Sequence, residues 1–453
     1  MKRGQSGYTR SATLKKVISL VLLLSMVLTM VSGCGSRGGS NTAQEASGSG
    51  TETGKDSGGA KETTKIKWAV WDIALTTYYQ PLIDAYKVKN PDVEIEMVDL
   101  GSQDYMTALS TQLAGNDTDL DVVLVKDIPG YSNLVSKNVL EPVDTAGMDL
   151  SAYSGVTEQI LVNDKLYALP FRSDFWILFY NKDIFDAAGA SYPSNDMTLE
   201  QYDQLARAVT KTDLGNEVYG SHYHTWRSTI QLLGVLDGKN SIVDGNYDFL
   251  KPYYEMVLAE QKDGVCQDYA TLKTSNLHYS AAFAKGNVAM LNMGSWFIPT
   301  LIDKIKTGEF SDIKNWGLAK YPHPEGVEAG TTLGTITSIA VASASKNKEI
   351  SADFAKFVSG TEGAEVIAKT GTFPAIKTDA VLAAISGLEG FPSDAESKEA
   401  LKTVKTYLEM PLNVKSAEID TVLNDGHDYI MTETKTIDEG IAYMNEEVSK
   451  LLQ

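Results

Sequence analysis

Segments with strand-like and helix-like patterns alternate along this chain, and the alternation is the feature that most constrains its fold. Residues 66–71 and 93–100 have strand patterns, and residues 121–125 form the continuous apolar run of a strand buried on both faces. Apolar residues recur at helical spacing within 76–89 and 105–114. Strands that alternate with helices predict an α/β domain built on a mainly parallel sheet.

The pattern continues through the rest of the chain. Further strands are predicted at 177–180, 288–293, 316–319 and 336–342. Thr198 and Gln201 are spaced as a capping box, which predicts the start of a helix there. Short helices are predicted at 350–358 and 361–369, and the chain from 398 onward has helical patterns with Gly and Pro breaks.

Composition limits the domain count and the class of partner. The chain has 453 residues, 43% of them hydrophobic, which predicts two domains, each with a substantial core. Its formal net charge of −19 argues against nucleic-acid binding, which needs a basic surface. With 2 cysteines it has too few for a disulfide scaffold or a cysteine-built zinc site.

The amino-terminal segment has the pattern of a secretory signal peptide. Residues 1–33 combine basic residues, an apolar run over 17–31 and small residues at the end, although an uncleaved membrane anchor remains an alternative. The sequence Val31-Ser32-Gly33-Cys34 also resembles the lipobox of bacterial lipoproteins. That resemblance implies cleavage before Cys34 and a diacylglycerol on its sulfur, and two acyl chains hold a protein stably at a membrane. Residues 34–65, rich in Gly and Ser, would then form a flexible tether.

No catalytic signature is present in the sequence. The motifs of zinc proteases, phosphate-binding loops, serine hydrolases and redox cysteine pairs are all missing. His222 and His224 share a face if their segment is extended, but no third metal ligand lies near them in sequence. We therefore expect no enzymatic activity, no metal and no cofactor.

Aromatic and charged residues occur together at the ends of predicted strands, where open α/β sheets bind ligands. Flat rings beside carboxylates and guanidinium groups suit a ligand with apolar C–H faces and many hydroxyls, which means a sugar. The same rings also fit a hydrophobic core when taken singly. The residues in question are Trp71, Asp72, Lys126, Asp127, Arg172, Asp174, Trp176, His224, Trp226, Arg227 and Trp296.

Several ordered motifs resemble the family 1 extracellular solute-binding proteins of bacterial ABC importers. They are the segments 166–171, 178–189, 282–290 with 294–296, 316–322, and 339–346 with 354–358. The resemblance covers nearly the whole chain after residue 65. It implies a two-lobed fold of the type II periplasmic-binding-protein class, in which a hinge joins two lobes, each a mainly parallel sheet flanked by helices.

The resemblance also implies where the lobes and the ligand lie. The first lobe would comprise 65–170 plus 333–375, and the second 174–330 plus 376–453. A carbohydrate would bind between the lobes, stabilise the closed form and pass to the permease subunits of the importer. We expect a monomer held by the lipid on Cys34 at the extracytoplasmic face of the cell membrane.

Individual site residues follow from the family's motifs, position by position. The sugar-binding members line their clefts at positions that correspond here to Trp71, Asp72, Asp127, Arg172, Asp174, Trp176, Trp296, Thr335 and Phe373. Trp226 is added from composition. The bulky loop that follows the first strand departs from the Gly-rich or Ser-rich loop of some members. Such a loop would narrow the cleft, so the identity of the ligand stays open. Two alternatives remain: a secreted carbohydrate-active hydrolase, and a sensory or peptide-binding lipoprotein of the same fold.

Overall fold

The computed structural model describes residues 63–73, 76–101, 105–115, 119–153, 155–210 and 217–453. The predicted signal peptide, Cys34 and nearly all of the tether lie outside these residues. The chain divides into the units Met1–Ala60 and Lys61–Gln453, and the described residues belong to the second unit. Within them, no helix combines the length and the apolar character needed to span a bilayer.

The described residues form nine strands. They are β1 (Thr64–Val70), β2 (Val93–Asp99), β3 (Val122–Val125), β4 (Leu169–Asn181), β5 (Tyr219–His222), β6 (Val288–Gly294), β7 (Trp316–Lys320), β8 (Thr331–Val341) and β9 (Lys405–Leu408).

Sixteen α-helices pack around these strands in the same residues. They are α1 (Tyr79–Lys89), α2 (Tyr105–Ala114), α3 (Ile128–Ser136), α4 (Lys182–Ala188), α5 (Leu199–Thr210), α6 (Ser228–Gln231), α7 (Lys251–Lys262), α8 (Tyr269–Ser275), α9 (Tyr279–Ala284), α10 (Phe297–Lys306), α11 (Lys348–Ser359), α12 (Thr361–Ala368), α13 (Asp379–Ser386), α14 (Ala395–Glu399), α15 (Ser416–Met431) and α16 (Ile437–Leu452).

The strands hydrogen-bond in the order β2-β1-β3-β8-β4-β6-β5, with β7 added to β4 and β9 to β8. Strand β1 lies parallel to β2 and β3, β5 lies parallel to β6, and β8 lies parallel to β9. The pairs β3–β8, β4–β8, β4–β6 and β4–β7 are antiparallel. The α/β class is therefore as predicted, but the sheet is mixed rather than mainly parallel, because β4 is antiparallel to all three of its partners and β8 is antiparallel to β3 and β4.

Strand β4 belongs to both halves of the sheet. Its residues from Leu169 to Phe175 pair with β8, whereas those from Trp176 to Asn181 pair with β6 and β7. The sequence predicted only its apolar centre at 177–180. Pro170 lies beside a register shift in this strand. Regular strand pairing is interrupted there, so the missing N–H group of proline does not remove a hydrogen bond from the sheet.

Three hydrophobic cores divide the molecule into two lobes. The first core packs β1, β2 and β3 against helices α1, α2, α3 and α11, and we call this part the first lobe. From Trp176 onward, the side chains of β4 alternate between the other two cores. Trp176 and Leu178 enter the second core, while Ile177 and Phe179 enter the third. The second and third cores thus cover opposite faces of the β4–β7 region, which we call the second lobe.

The predicted lobe boundaries stay a prediction. The first core extends to Phe171 and resumes at Ile336, whereas Leu333 packs in the second core and Phe373 in the third.

Local signals in the sequence set several helix ends. The predicted capping box is present: Thr198 N–H donates to Gln201 Oε1 at 2.9 Å, and Gln201 N–H donates to Thr198 Oγ1 at 3.2 Å. Predicted helices at 105–114, 350–358 and 361–369 correspond to α2, α11 and α12. Strand β9, in contrast, lies where the sequence predicted helix, and it is stabilised by pairing with the distant β8.

Candidate ligand-binding site

Strand β4 carries three of the predicted site residues on one face. Arg172, Asp174 and Trp176 lie at alternate positions, so their side chains project in the same direction where β4 leaves the first lobe for the second. Of the three, Arg172 is partly exposed, whereas Asp174 and Trp176 are buried.

The buried carboxylate of Asp174 is fully engaged by its neighbours. Arg172 Nε lies 3.1 Å from Asp174 Oδ2, and Ser295 Oγ donates to Asp174 Oδ1 at 2.9 Å. Arg172 Nη1 also donates to the hydroxyl of Tyr78 at 3.3 Å. Because Tyr78 precedes α1 in the first lobe, this chain of contacts ties the two lobes together at the site.

Trp176 points its indole N–H at a carboxylate that the sequence analysis did not identify. Trp176 Nε1 donates to Glu409 Oε1, and Glu409 directly follows β9. Desolvation raises the pKa of Glu409, and the carboxylates of Asp420 and Asp174 act in the same direction. The hydrogen bond from the Trp176 indole and the positive charge of Arg227 act to lower the pKa of Glu409.

A second ion pair lies close to Glu409. Arg227 Nε donates to Asp420 Oδ1 at 2.7 Å, and Arg227 Nη2 approaches the same oxygen at 2.6 Å. Arg227 is buried in the loop that follows β5, whereas Asp420 lies on α15. The residues are 193 positions apart in sequence, so only the packing of α15 against this loop forms the pair.

Aromatic rings continue the surface beyond Trp176. The Trp176 and Trp296 ring centres are 6.1 Å apart, and Trp226 lies 6.4 Å from Trp296. Trp296 Nε1 donates to the hydroxyl of Tyr279 at 3.1 Å, which fixes the indole at the start of α10. Trp226 is 38% exposed, a high value for tryptophan, so its ring is available to a ligand.

Histidine rings border this aromatic surface. The His224 ring lies 4.6 Å from Trp226, and the His222 ring lies 6.5 Å from His224. Burial lowers the pKa of His222 to about 3 and that of His224 to about 4, so both are neutral near pH 7. Among the described residues, no group of three or more His, Cys, Asp or Glu side chains is arranged to hold a metal ion.

The first lobe contributes fewer aromatic groups. Trp71 is only 8% exposed and packs against Tyr105 with ring centres 4.8 Å apart, while Lys126 Nζ lies 5.6 Å from the Trp71 ring centre. Asp72 follows β1 with φ at 51°, a conformation that Asp tolerates better than most residues.

Asp127 occupies the N-terminus of α3. Its Oδ1 accepts a hydrogen bond from Gly130 N–H at 2.7 Å, as an N-cap residue does. The side chain is exposed, yet enough protein surrounds the carboxylate to raise its pKa by desolvation. Asp420 of the second lobe also raises the pKa of Asp127 through charge repulsion.

The two remaining predicted residues differ in accessibility. Thr335 is half-buried on β8, opposite Asp174 in the antiparallel pair. Phe373 is 0% exposed and packs edge-to-face on Phe175 at 5.1 Å, so it offers no surface to a ligand in this conformation. The structure therefore brings Arg172, Asp174, Trp176, Trp226 and Trp296 together and leaves Phe373 in the third core; of the five, Asp174 and Trp176 are themselves buried.

A family comparison decides what kind of protein has this architecture. The model for bacterial extracellular solute-binding proteins matches residues 72–365, which is more than half of the chain. The chain belongs to this family of solute-binding proteins. The match begins at Asp72 and includes every residue of β4, Trp226 and Trp296, whereas Glu409 and Asp420 lie beyond its end.

Solved structures and curated relatives agree with this membership. This solute-binding protein is 52% identical to a sugar transporter from Rhizobium etli in an open conformation, over 85% of this chain and 99% of that one, with a TM-score of 0.81. An ABC substrate-binding protein from Listeria monocytogenes in complex with cycloalternan shares the two-lobed fold at 20% identity, over 86% and 99% of the chains, with a TM-score of 0.69.

A putative binding protein from Brucella abortus is 25% identical over 298 residues, which make up 60% of this chain and 66% of the relative, just under two thirds of its length. The family and these neighbours are binding proteins, and the two-lobed fold predicted from the motifs is confirmed.

Sequence reasoning missed four residues of the site: Tyr78, Tyr279, Glu409 and Asp420. Each becomes relevant only through a contact with a residue far away in sequence. A usable signal existed for Glu409 alone, because the pattern of 405–408 resembles a short strand whose end would reach the same edge of the sheet.

Proposed function

We propose that this solute-binding protein captures a sugar or oligosaccharide between its lobes and delivers it to the permease of an ABC importer. One observation carries the proposal. The partly exposed rings of Trp296 and Trp226 adjoin the buried ring of Trp176 and lie near two preformed ion pairs, Arg172–Asp174 and Arg227–Asp420. Ring faces pack against the C–H faces of a sugar, and fixed charged groups bind its hydroxyls through strong hydrogen bonds.

The similarity to a sugar transporter at 52% identity supports the same ligand class. Contacts from both lobes would stabilise the closed form by differential binding, since a ligand shifts an equilibrium only as far as it prefers one state. In this proposal Trp71, Asp72 and Asp127 complete the site from the first lobe, and Thr335 lies at the crossing between the lobes. The first lobe comprises 65–170 plus 333–375, and the second comprises 174–330 plus 376–453.

A ligand screen tests the proposal. We expect native mass spectrometry of the purified protein to show a bound hexose-containing mass, and a panel of mono- and oligosaccharides to raise the melting temperature without being cleaved. Turnover of any glycan in the panel would favour the hydrolase alternative. A melting shift with peptides and none with sugars would favour the sensory or peptide-binding alternative.

The proposal includes a lipid anchor at the extracytoplasmic face of the membrane. Removal of the signal peptide over 1–33 would expose Cys34 for acylation, and the tether over 34–65 would span roughly 30 Å on average as a random coil. We expect Cys34→Ser to move the protein from the membrane fraction to the soluble extracytoplasmic fraction. Cys266→Ser serves as the control, since Cys266 is buried in the second core. Retention of the Cys34 variant in the membrane would contradict the anchor.

A further inference from the structure

The carboxylate of Glu409 differs from the other carboxylates of the site in its bonding. Asp174 is paired with Arg172, and Asp420 is paired with Arg227. Glu409 accepts one hydrogen bond from the Trp176 indole and, among the described residues, forms no ion pair. The residue keeps partial solvent exposure, and among the described residues its carboxylate accepts no side-chain hydrogen bond besides the one from the indole.

Charged groups of both signs surround Glu409. Asp420 and Asp174 are the nearby carboxylates, and Arg227 is the cation that opposes them. Lys377 Nζ lies 4.2 Å from the ring centre of Phe175, which projects from the opposite face of β4 because side chains alternate along a strand. Lys377 therefore lies on the Phe175 side of the strand, and because Arg172 and Arg227 neutralise Asp174 and Asp420, Glu409 is left, among the described residues, with the one uncompensated charge on the Trp176 side.

The rings beside Glu409 have the chemistry that binds cations. Trp176 holds the Glu409 carboxylate by its indole N–H, and the partly exposed Trp296 ring lies 6.1 Å from Trp176. Indole faces attract ammonium groups through their quadrupole, and the attraction grows when water is excluded. An unpaired carboxylate next to such rings is a site for one positive charge.

We propose that the preferred ligand is an amino sugar, whose positively charged amino group binds Glu409 beside the Trp296 ring. This inference rests on the proposed function, because it names the class of sugar that the same site selects. A neutral sugar leaves the carboxylate without a counter-charge when the lobes close, whereas an ammonium group supplies one. The selectivity then comes from the charge of the ligand and not from its hydroxyl pattern.

The test compares amino sugars with two kinds of neutral analogue, the N-acetylated sugar and the sugar with a hydroxyl in place of the amino group. Isothermal titration at pH 6.5 would use glucosamine, N-acetylglucosamine and glucose, together with chitobiose, N,N′-diacetylchitobiose and cellobiose. We expect at least one amino sugar to bind tenfold or more tightly than its N-acetylated form. The ratio should fall as ionic strength rises, because the pairing is partly exposed to solvent.

Two variants separate charge selection from a structural role. Glu409→Gln keeps the shape and one acceptor oxygen, and we expect it to reduce the amino to N-acetyl affinity ratio from tenfold to less than twofold, whatever it does to overall affinity. Glu255→Gln removes one charge from an exposed position of α7 and should leave the ratio unchanged.

Neutral sugars that bind as tightly as their amino analogues would overturn this inference and leave the proposed function intact. An equal loss for both ligands in Glu409→Gln would also overturn it. Failure of every sugar to bind would overturn the proposed function and this inference with it.

Discussion

The first-lobe and second-lobe sides of the site differ in how far their side chains are already held in place. On the second-lobe side, Asp174, Arg227 and Trp296 each have a specific polar partner within the protein. On the first-lobe side, Trp71 is buried against Tyr105, and the exposed groups lie on loops and at a helix start. Preorganised groups lose less entropy on binding, so we expect the second lobe to supply most of the initial affinity and the first lobe to contribute on closure.

The second-lobe side is also supported from behind by a buried acid. Glu260 is 0% exposed and accepts hydrogen bonds from Ser221 Oγ and from the Tyr223 hydroxyl, the latter at 3.2 Å. Ser221 lies on β5, just before the loop that carries His224 and Trp226. The carboxylate of Asp203 raises the pKa of Glu260, and Glu260 in turn raises the pKa values of Tyr202, Tyr223 and Cys266.

The largest expected effect comes from Glu260→Gln. Desolvation raises the pKa of Glu260 to about 8, above its ordinary value of 4.5. The stability that comes from the neutral form is complete below pH 4.5 and is lost as the pH rises through 8. The free energy of unfolding of wild type should fall relative to that of the variant as the pH rises from 5 to 8. We expect this change to reach up to about 3 kcal/mol, measured by thermal or urea unfolding.

Glu255→Gln is the exposed control for this series and should track the wild type at every pH. A constant difference between Glu260→Gln and wild type from pH 5 to pH 8 would contradict the prediction, because it would mean that Glu260 does not titrate in this range.

Trp296→Ala should produce the next largest effect. The substitution removes a ring face and frees the hydroxyl of Tyr279, so we expect at least a tenfold loss of sugar affinity, or about 1.4 kcal/mol, in calorimetry. Tyr192→Ala provides a control ring that is 43% exposed and bonded to Asp186 away from the site. Unchanged affinity in a folded Trp296 variant would remove this residue from the binding surface.

Asp127→Asn should have the smallest effect and tests the first-lobe side. Asn caps helices about as well as Asp, so α3 should stay folded. We expect a two- to threefold loss of affinity that appears mainly in the dissociation rate, because in our proposal Asp127 contacts the ligand only after closure. Stopped-flow measurements resolve the two rates. A loss larger than that of Trp296→Ala would reverse the comparison between the two lobes.

The sequence predicted elements well where local signals dominate. The capping box at Thr198, the periodicity of α2 and the apolar run of β3 all correspond to observed elements. It failed where pairing partners are remote: β9 is a strand because β8 lies beside it, and the mixed sheet follows from the direction in which β4 and β8 cross between lobes.

The same division holds for the site. The sequence placed Arg172, Asp174 and Trp176 just before a strand, whereas they lie within β4; Trp296 follows the end of β6 as predicted, and the role of all four in binding stays a prediction. Burial is a property of the whole fold, and it left Phe373 in the third core without an accessible face.

The amino-acid sequence by itself determined the α/β class, the family motifs and which residue types meet at the strand ends. Only the tertiary structure decided how charges are paired: Arg227 with Asp420, Arg172 with Asp174, and Glu409 with an indole and no counter-ion among the described residues. The physical reason is that hydrophobic periodicity acts over a few residues, whereas an electrostatic partner is any group that folding brings within a few ångströms.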